Sequence, residues 1–262
     1  MKRVTKIVFI SLIVLFGANT LQAESNLDNK SRNMVELMRL AMSSRVMIQN
    51  IAKDYLYIGN NVATSRAEKE LQTSEMKFNS KIKQLNISMN DPKIKNLLLF
   101  IESNYDDIKE LLKGKYSLDN AQEIIDLAEA ISEGSLSIAS KIKIKIKGKV
   151  PVFKGQRYYT TQVAKYYMAY KAGIKDKNTI LNMNNAVKKL GGLIDEVKSY
   201  QGNSPEMNQL ANKIDKQWKI VHKFYLDIED GDLPLIVYDT TNKLNKQFIK
   251  YVNLTYNTKQ KK

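Results

Sequence analysis

Apolar residues recur at three- and four-residue spacing along most of the chain. One example is the series Ile94, Leu97, Leu98, Ile101, Tyr105 and Ile108. Because an α-helix completes a turn every 3.6 residues, this spacing gathers the apolar side chains on one helical face. The chain contains four prolines, and each stands where the pattern restarts, which is typical of a helix start or of the loop before it.

Cutting the pattern at its helix-breaking residues predicts eight helices. They cover residues 27–59, 63–86, 92–113, 118–144, 153–173, 176–200, 205–228 and 234–257. One stretch, SKIKIKIKGKVPV at 140–152, alternates between polar and apolar residues, a pattern that favours a strand. A lone strand would have no partner in a helical protein, so we expect a frayed helix end and a linker there, with surface or membrane contact through its lysines as the alternative. The predicted fold class is all-α.

The second half of the pattern repeats the first. Adding 112 to the residue number places Arg45, Ala52, Lys53 and Tyr55 on Arg157, Ala164, Lys165 and Tyr167. Adding 113 places Pro92, Leu97, Ile101 and Tyr105 on Pro205, Leu210, Ile214 and Trp218. Two nearly equal shifts over separate helices indicate a duplicated module of four helices. We therefore expect two tandem up-and-down four-helix bundles.

The segment 1–23 has the features of a secretory signal peptide. A basic start containing Lys2, Arg3 and Lys6 precedes the apolar run IVFISLIVLF, which is shorter than the roughly 20 residues of a membrane-spanning helix. We expect cleavage after Ala23 and a periplasmic protein, with an uncleaved anchor as the alternative. The rest of the chain then divides into a first bundle at 24–146, a linker at 147–152 and a second bundle at 153–262.

The composition limits the classes of ligand, metal site and reaction that the chain can support. The formal charge is +15, which attracts nucleic acid, anionic lipid or small anions. The lysines are scattered and no basic-aromatic motif accompanies them, so we expect no nucleic-acid partner. Without cysteine, and with His222 as its only histidine, the chain offers no disulfide and no usual ligand set for zinc or copper. No nucleophile, phosphate-loop or metalloprotease motif is present, so we expect neither an enzyme nor a cofactor.

Polar side chains interrupt the apolar face of one helix in each half. The segment SSRVMIQNIAK at 43–53 sets an arginine, a glutamine and a lysine one turn apart, beside an apolar stripe. The segment GQRYYTTQVAK at 155–165 has the same three residue types, with its glutamine one position late. The candidate ligand-binding residues are therefore Arg45, Gln49, Lys53, Arg157, Gln162 and Lys165.

The first segment resembles the R-M-L-S-Q-R-M-A-K signature of the PilJ-like N-terminal domain of type IV pilus chemotaxis transducers. That family is akin to the nitrate- and nitrite-sensing modules of bacterial sensor kinases. Arg45, Gln49, Ala52 and Lys53 match the signature in place, and two tandem copies of the domain would cover almost all of the chain after Ala23.

The resemblance implies a periplasmic sensory four-helix bundle. In the nitrate-sensing relatives the arginine of the first helix binds a small planar anion, often across a two-fold dimer interface. A guanidinium is suited to this because its parallel N–H donors match two oxygens of nitrate or of a carboxylate. The resemblance therefore implies nitrate, nitrite or a carboxylate as ligand and a homodimer as assembly. Since no second apolar span follows, we expect signalling through a membrane receptor or sensor kinase.

A second interpretation needs no ligand. The two arginines can lie along the apolar surface and make surface ion pairs, which contribute about 0–1 kcal/mol each. The recurrence of the motif would then reflect inherited packing geometry. The protein would be a helical scaffold or interaction protein of the cell envelope, without a small-molecule ligand.

Overall fold

The computed structural model describes residues 29–146, 155–226, 228–229 and 231–260, and in them it contains eight helices and no strand. The helices are α1 (Asn29–Gly59), α2 (Thr64–Ser88), α3 (Pro92–Lys113), α4 (Leu118–Ile144), α5 (Gln156–Ala172), α6 (Lys177–Ser199), α7 (Pro205–Leu226) and α8 (Pro234–Gln260). The predicted all-α class is confirmed, and each predicted helix corresponds to an observed one with closely similar bounds. The predicted signal peptide and the predicted linker at 147–152 lie outside the described residues.

Local sequence explains why several helices begin and end where they do. The carboxylate of Asp91 accepts hydrogen bonds from the amides of Lys93 and Ile94, and Pro92 follows it at the first helical position of α3. Asp176 caps α6 by accepting a hydrogen bond from the amide of Thr179. Gly173 ends α5 with φ of 113°, a left-handed conformation that glycine adopts without steric cost.

The helices pack in two closed groups that share one core. In the first group α1 lies against α2 and α4, and α3 lies against α4, while α2 and α3 touch only lightly. In the second group α5, α6, α7 and α8 each contact the next, and α8 returns to α5. Helix α1 also packs against α5, so the buried apolar residues of both groups form a single cluster. None of the described helices combines the length and the apolar character that a membrane crossing needs.

Corresponding helices of the two halves bury the same faces. Helix α2 buries Ala67, Ser74, Phe78, Ile82 and Leu85, and the positions shifted by 112, all buried in α6, are Thr179, Ala186, Leu190, Ile194 and Val197. Helix α3 buries Ile94, Leu98, Ile101, Tyr105 and Ile108, and the positions shifted by 113, all buried in α7, are Met207, Ala211, Ile214, Trp218 and Val221. The shifts found in the sequence thus also relate the buried positions.

Helices α1 and α5 run side by side in the same direction. The guanidinium of Arg45 lies 4.1 Å from the ring centroid of Tyr158, and the hydroxyl of Thr161 donates to Asn50 Oδ1 at 3.0 Å, so both residue numbers increase together along the contact. Ala52 and Ala164 are fully buried. The two polar segments singled out in the sequence therefore meet at the contact between the halves.

Candidate functional site

The side chain of Arg45 is largely engaged by the protein. It is half-buried, and its Nε donates to the carbonyl oxygen of Ser132 on α4 at 3.1 Å. Its guanidinium plane covers the ring of Tyr158, whose hydroxyl accepts a hydrogen bond from Gln162 Nε2 at 2.7 Å. Cation–π contact and the carbonyl bond together hold the arginine in place. The structure brings Arg45 and Gln162 together through this tyrosine.

Gln49 joins α1 to α4. It is completely buried, and its Nε2 donates to Ser132 Oγ at 2.9 Å and to the carbonyl oxygen of Ala128 at 3.3 Å. Because a glutamine amide has two donor hydrogens, both are then used within the protein. Gln49 therefore supplies no donor to a ligand in this conformation.

Lys53 lies in a cluster of charges between α1, α2 and α8. Its Nζ is 2.9 Å from Glu70 Oε2 and 2.9 Å from Asp54 Oδ1, and 4.8 Å from the ring centroid of Tyr238. Burial would lower the pKa of Lys53, but the carboxylates of Asp54 and Glu70 outweigh burial and raise it. Asn242 of α8 donates to Glu70 Oε1 at 3.1 Å. We call Lys53, Asp54 and Glu70 the first lysine cluster.

Lys165 lies in a second cluster, on the other side of the contact between the halves. Its Nζ bonds Glu129 of α4, and the same carboxylate oxygen accepts from the hydroxyl of Tyr166 at 2.7 Å and from Gln162 at 3.4 Å. Burial would raise the pKa of Glu129, but Lys165 and the two hydrogen bonds outweigh burial and lower it. Lys165 and Glu129 therefore form a charged pair that ties α5 to α4.

The two clusters are related by the same shifts as the helices. Shifting Glu70 by 112 gives Asn182, which hydrogen-bonds Tyr166, and shifting Glu129 by 113 gives Asn242, which hydrogen-bonds Glu70. Each cluster thus has one glutamate and one asparagine at equivalent places, with the two residue types exchanged. Sequence reasoning missed both glutamates, although this exchange at the shifts of 112 and 113 is visible in the sequence.

Arg157 is in a different state from Arg45. It is half-buried, and its Nε is inaccessible to solvent and has no hydrogen-bond partner among the described residues. Burial lowers the pKa of Arg157. The position in the first half that matches Tyr158 is Val46, so no aromatic ring is placed there to cover this second arginine in the way that Tyr158 covers Arg45. An inaccessible donor without a partner is costly, and an acceptor brought by a ligand would satisfy it.

Two other features lie apart from these residues. A groove of 980 Å³ runs between α2 and α3 over the buried rings of Phe78 and Tyr105, and none of the six predicted residues lines it. His222 packs on Trp218 and bonds its carbonyl oxygen at 3.0 Å. No group of three or more metal-ligating side chains occurs within the described part of the chain.

Comparison with known proteins adds no relative. No family model matches the chain, and no match was found among curated proteins or among solved structures. The resemblance to PilJ-like domains therefore rests on the residues of the motif, and the function is argued from the site.

Proposed function

We propose that the chain is an exported, non-catalytic sensory protein that binds a small anion and signals through a membrane partner. In this proposal it consists of two tandem up-and-down four-helix bundles that arose by duplication. The matching buried faces and the two closed groups of helices support the duplication. In the nitrate-sensing relatives, the resemblance implies a two-fold interface between two copies of the chain. Here the parallel contact of α1 with α5 would form that kind of interface within a single chain.

The observation that carries the proposal is the state of Arg157. A guanidinium Nε that is closed off from water and lacks a partner leaves part of a buried charge uncompensated. An oxyanion placed against it would accept a charge-assisted hydrogen bond from this Nε, and such bonds are the strongest kind available to an arginine. In Arg45, by contrast, Nε already donates a hydrogen bond to the carbonyl oxygen of Ser132, and the guanidinium lies over the ring of Tyr158. We therefore place the anion at Arg157.

Binding there can be transmitted along the contact between the halves. Arg157 lies in the first turn of α5, and the same helix carries Lys165, which is tied to Glu129 of α4. A small displacement of α5 against α1 would change the pair of Lys165 with Glu129, and the first lysine cluster also contacts the second half through the hydrogen bond from Asn242 to Glu70. Shifts of one packed helix against another are a known means of signalling in helical proteins.

A second function, a ligand-free scaffold, is favoured by a specific observation. The side-chain nitrogen atoms of Gln49, Lys53 and Lys165 bind partners within the chain. If Arg157 also finds compensation inside the protein, the motif serves only to join helices.

Calorimetric titration in low salt separates the two functions. The purified protein is titrated with nitrate, nitrite and acetate, alongside the matched variants Arg157→Gln and Arg45→Gln. We expect saturable binding that Arg157→Gln abolishes and Arg45→Gln retains. Binding that survives Arg157→Gln but not Arg45→Gln would move the site to the first arginine, and absence of binding to every anion would favour the scaffold.

A further inference from the structure

The groove between α2 and α3 is a surface of the first half that none of the six candidate residues lines. Its volume is 980 Å³, and the buried side chains of Phe78, Ile82 and Tyr105 form its floor. The ring centroids of Phe78 and Tyr105 are 4.5 Å apart, so two bulky side chains lie between the helices. Because α2 and α3 touch only lightly, the surface above these rings stays open. We call this feature the α2–α3 groove.

The second half closes the corresponding surface. By the shifts of 112 and 113, Asn79 and Tyr105 of the groove correspond to Gly191 and Trp218. A Cβ atom added at Gly191 would lie 3.5 Å from the indole of Trp218, so the absence of a side chain lets α6 and α7 pack closely.

The two helix pairs nevertheless keep the same alignment. Asn86 donates to Glu102 Oε1 at 2.5 Å in the first half, and the residues at the shifted positions, Lys198 and Asp215, pair at 2.8 Å in the second. The groove therefore results from a difference in side chains, and the second half serves as a reference for it.

The rim of the α2–α3 groove is apolar only in the first half. Ile87 and Leu99 line it on opposite helices and are 72% and 63% exposed, whereas the shifted positions are occupied by Ser199 and Asn212. Exposed apolar side chains beside an apolar groove are typical of an interaction site. A small molecule inside the groove would leave both rims in water, whereas a helix, about 10–12 Å across, would cover them.

The groove is long enough for a short helix. Its lining residues lie within 78–87 on α2 and 95–109 on α3. At about 1.5 Å per residue these segments are roughly 14 and 21 Å long, equal to roughly 9–14 residues of a bound α-helix. Amphipathic helices bind grooves of this kind through apolar residues at three- and four-residue spacing.

The charges along the groove favour an acidic partner. Asp106 pairs with Lys109 at 2.6 Å, and Glu102 already accepts a hydrogen bond across the groove. Lys83 and Lys95, which also line it, have no carboxylate partner within the residues that the structure describes. Acidic side chains of a partner would complement these two lysines. A second copy of this chain would not, because a two-fold contact joins identical surfaces and would bring the lysines together.

We infer that the α2–α3 groove binds an amphipathic helix of a partner protein, with apolar side chains in the groove and acidic side chains beside Lys83 and Lys95. The inference goes beyond the proposed function and does not depend on the anion at Arg157. It gives the first half a surface for another protein, while Arg157 belongs to the second half.

Two synthetic helical peptides test the inference on the purified full protein. Both have about 14 residues with leucines at three- and four-residue spacing, and one carries glutamates beside the leucines where the other carries lysines. Binding of each labelled peptide is measured by fluorescence anisotropy in low salt. We expect the acidic peptide to bind at least about tenfold more tightly than the basic one. Equal binding of the two, or no binding of the acidic peptide, would overturn the inference.

Substitutions that copy the second half locate the binding site. The double variant Ile87→Ser with Leu99→Asn changes only exposed side chains, and it should weaken binding of the acidic peptide at least about tenfold. Ile220→Asn, which removes a similarly exposed apolar side chain of α7, should leave binding unchanged. Binding that the double variant retains, or that Ile220→Asn weakens as much, would overturn the inference.

Other occupants of the groove would give different results. A second copy of the chain would appear in sedimentation velocity as a dimer that the double variant loses. A small amphiphile would appear as binding of dodecanoate that the double variant loses, without binding of the acidic peptide. Either result would overturn the assignment to a partner helix.

Discussion

Asp54 is a fully buried carboxylate whose charge state should control stability near neutral pH. Its side chain has 0% exposure, and Lys53 is its charged partner. The ion pair with Lys53, at 2.9 Å, is shared with Glu70. Burial raises the pKa of Asp54 to about 7, Lys53 opposes the rise, and the charge of Glu70 adds to it. The hydroxyls of Tyr57 and Tyr238 also interact electrostatically with Asp54.

The size of the effect follows from the shift. The pKa of Asp54 is about 7 in the folded protein against a reference value of 3.8, and each unit corresponds to about 1.4 kcal/mol. The folded state binds the proton more tightly, so the contribution to stability is full below pH 3.8 and is lost as the pH rises through 7. The whole change is about 4 kcal/mol, and about 3 kcal/mol of it falls between pH 5 and pH 8.

The substitution Asp54→Asn isolates this contribution, because asparagine has nearly the same shape and no charge at any pH. Lys53 keeps Glu70 as its partner, so the variant does not leave a buried cation unpaired. The free energy of unfolding is measured by urea denaturation at several pH values. We expect the variant to gain about 3 kcal/mol relative to the wild type between about pH 5 and about pH 8.

A carboxylate in the same region serves as control. Asp239 is half exposed and pairs with Arg66, so Asp239→Asn should shift stability by less than about 1 kcal/mol and show no such trend with pH. If the stabilities of the wild type and of Asp54→Asn vary in parallel with pH, the carboxylate is not held in the environment described, and the reasoning from its burial is wrong.

Two further predictions concern the charges at the contact of the halves. Arg157→Met should stabilise the anion-free protein by about 1–3 kcal/mol, because it removes a buried donor without a partner. The variant should also lose any rise of Tm that added anion causes in the wild type. A variant that is less stable than the wild type in thermal unfolding would contradict this. Glu129→Gln should cost about 3–5 kcal/mol in urea unfolding, because it leaves Lys165 as a buried, uncompensated charge. Glu70→Gln should cost less, since Lys53 retains Asp54, and equal costs would refute the comparison.

The helices were predictable because their signals are local. Apolar spacing defines the buried faces, and the adjacent residues Asp91 and Pro92 fix the start of α3. The pairing of α1 with α5 is not local, since Arg45 and Tyr158 belong to different halves of the sequence. Periodicity states that a helix has an apolar face and does not state which helix covers it. The glutamates that meet the two lysines were missed for this reason.

For the six candidate residues, too, the position on the helix was predictable and the partner was not. Sequence spacing placed Arg45, Gln49 and Lys53 on one stripe, and the structure has all three on the side of α1 that meets other helices. The spacing could not predict which partner each polar atom would bind. The side-chain nitrogen of Gln49, for instance, donates to Ser132 because α4 passes beside α1, and that depends on how the helices pack.

The repeated motif contains an alanine with a lysine and, before them, an arginine, and the two parts can serve different functions. The alanine and the lysine perform the same task in both halves: Ala52 and Ala164 are buried near the contact, and each lysine is charge-paired beside it. The two arginines differ in their surroundings. A single difference, Tyr158 where the first half has Val46, covers Arg45 and leaves Arg157 without an equivalent cover. Had both arginines been covered, the contact would be only structural. Arg157 keeps an inaccessible Nε donor without a partner among the described residues, and it is there that we propose an anion binds.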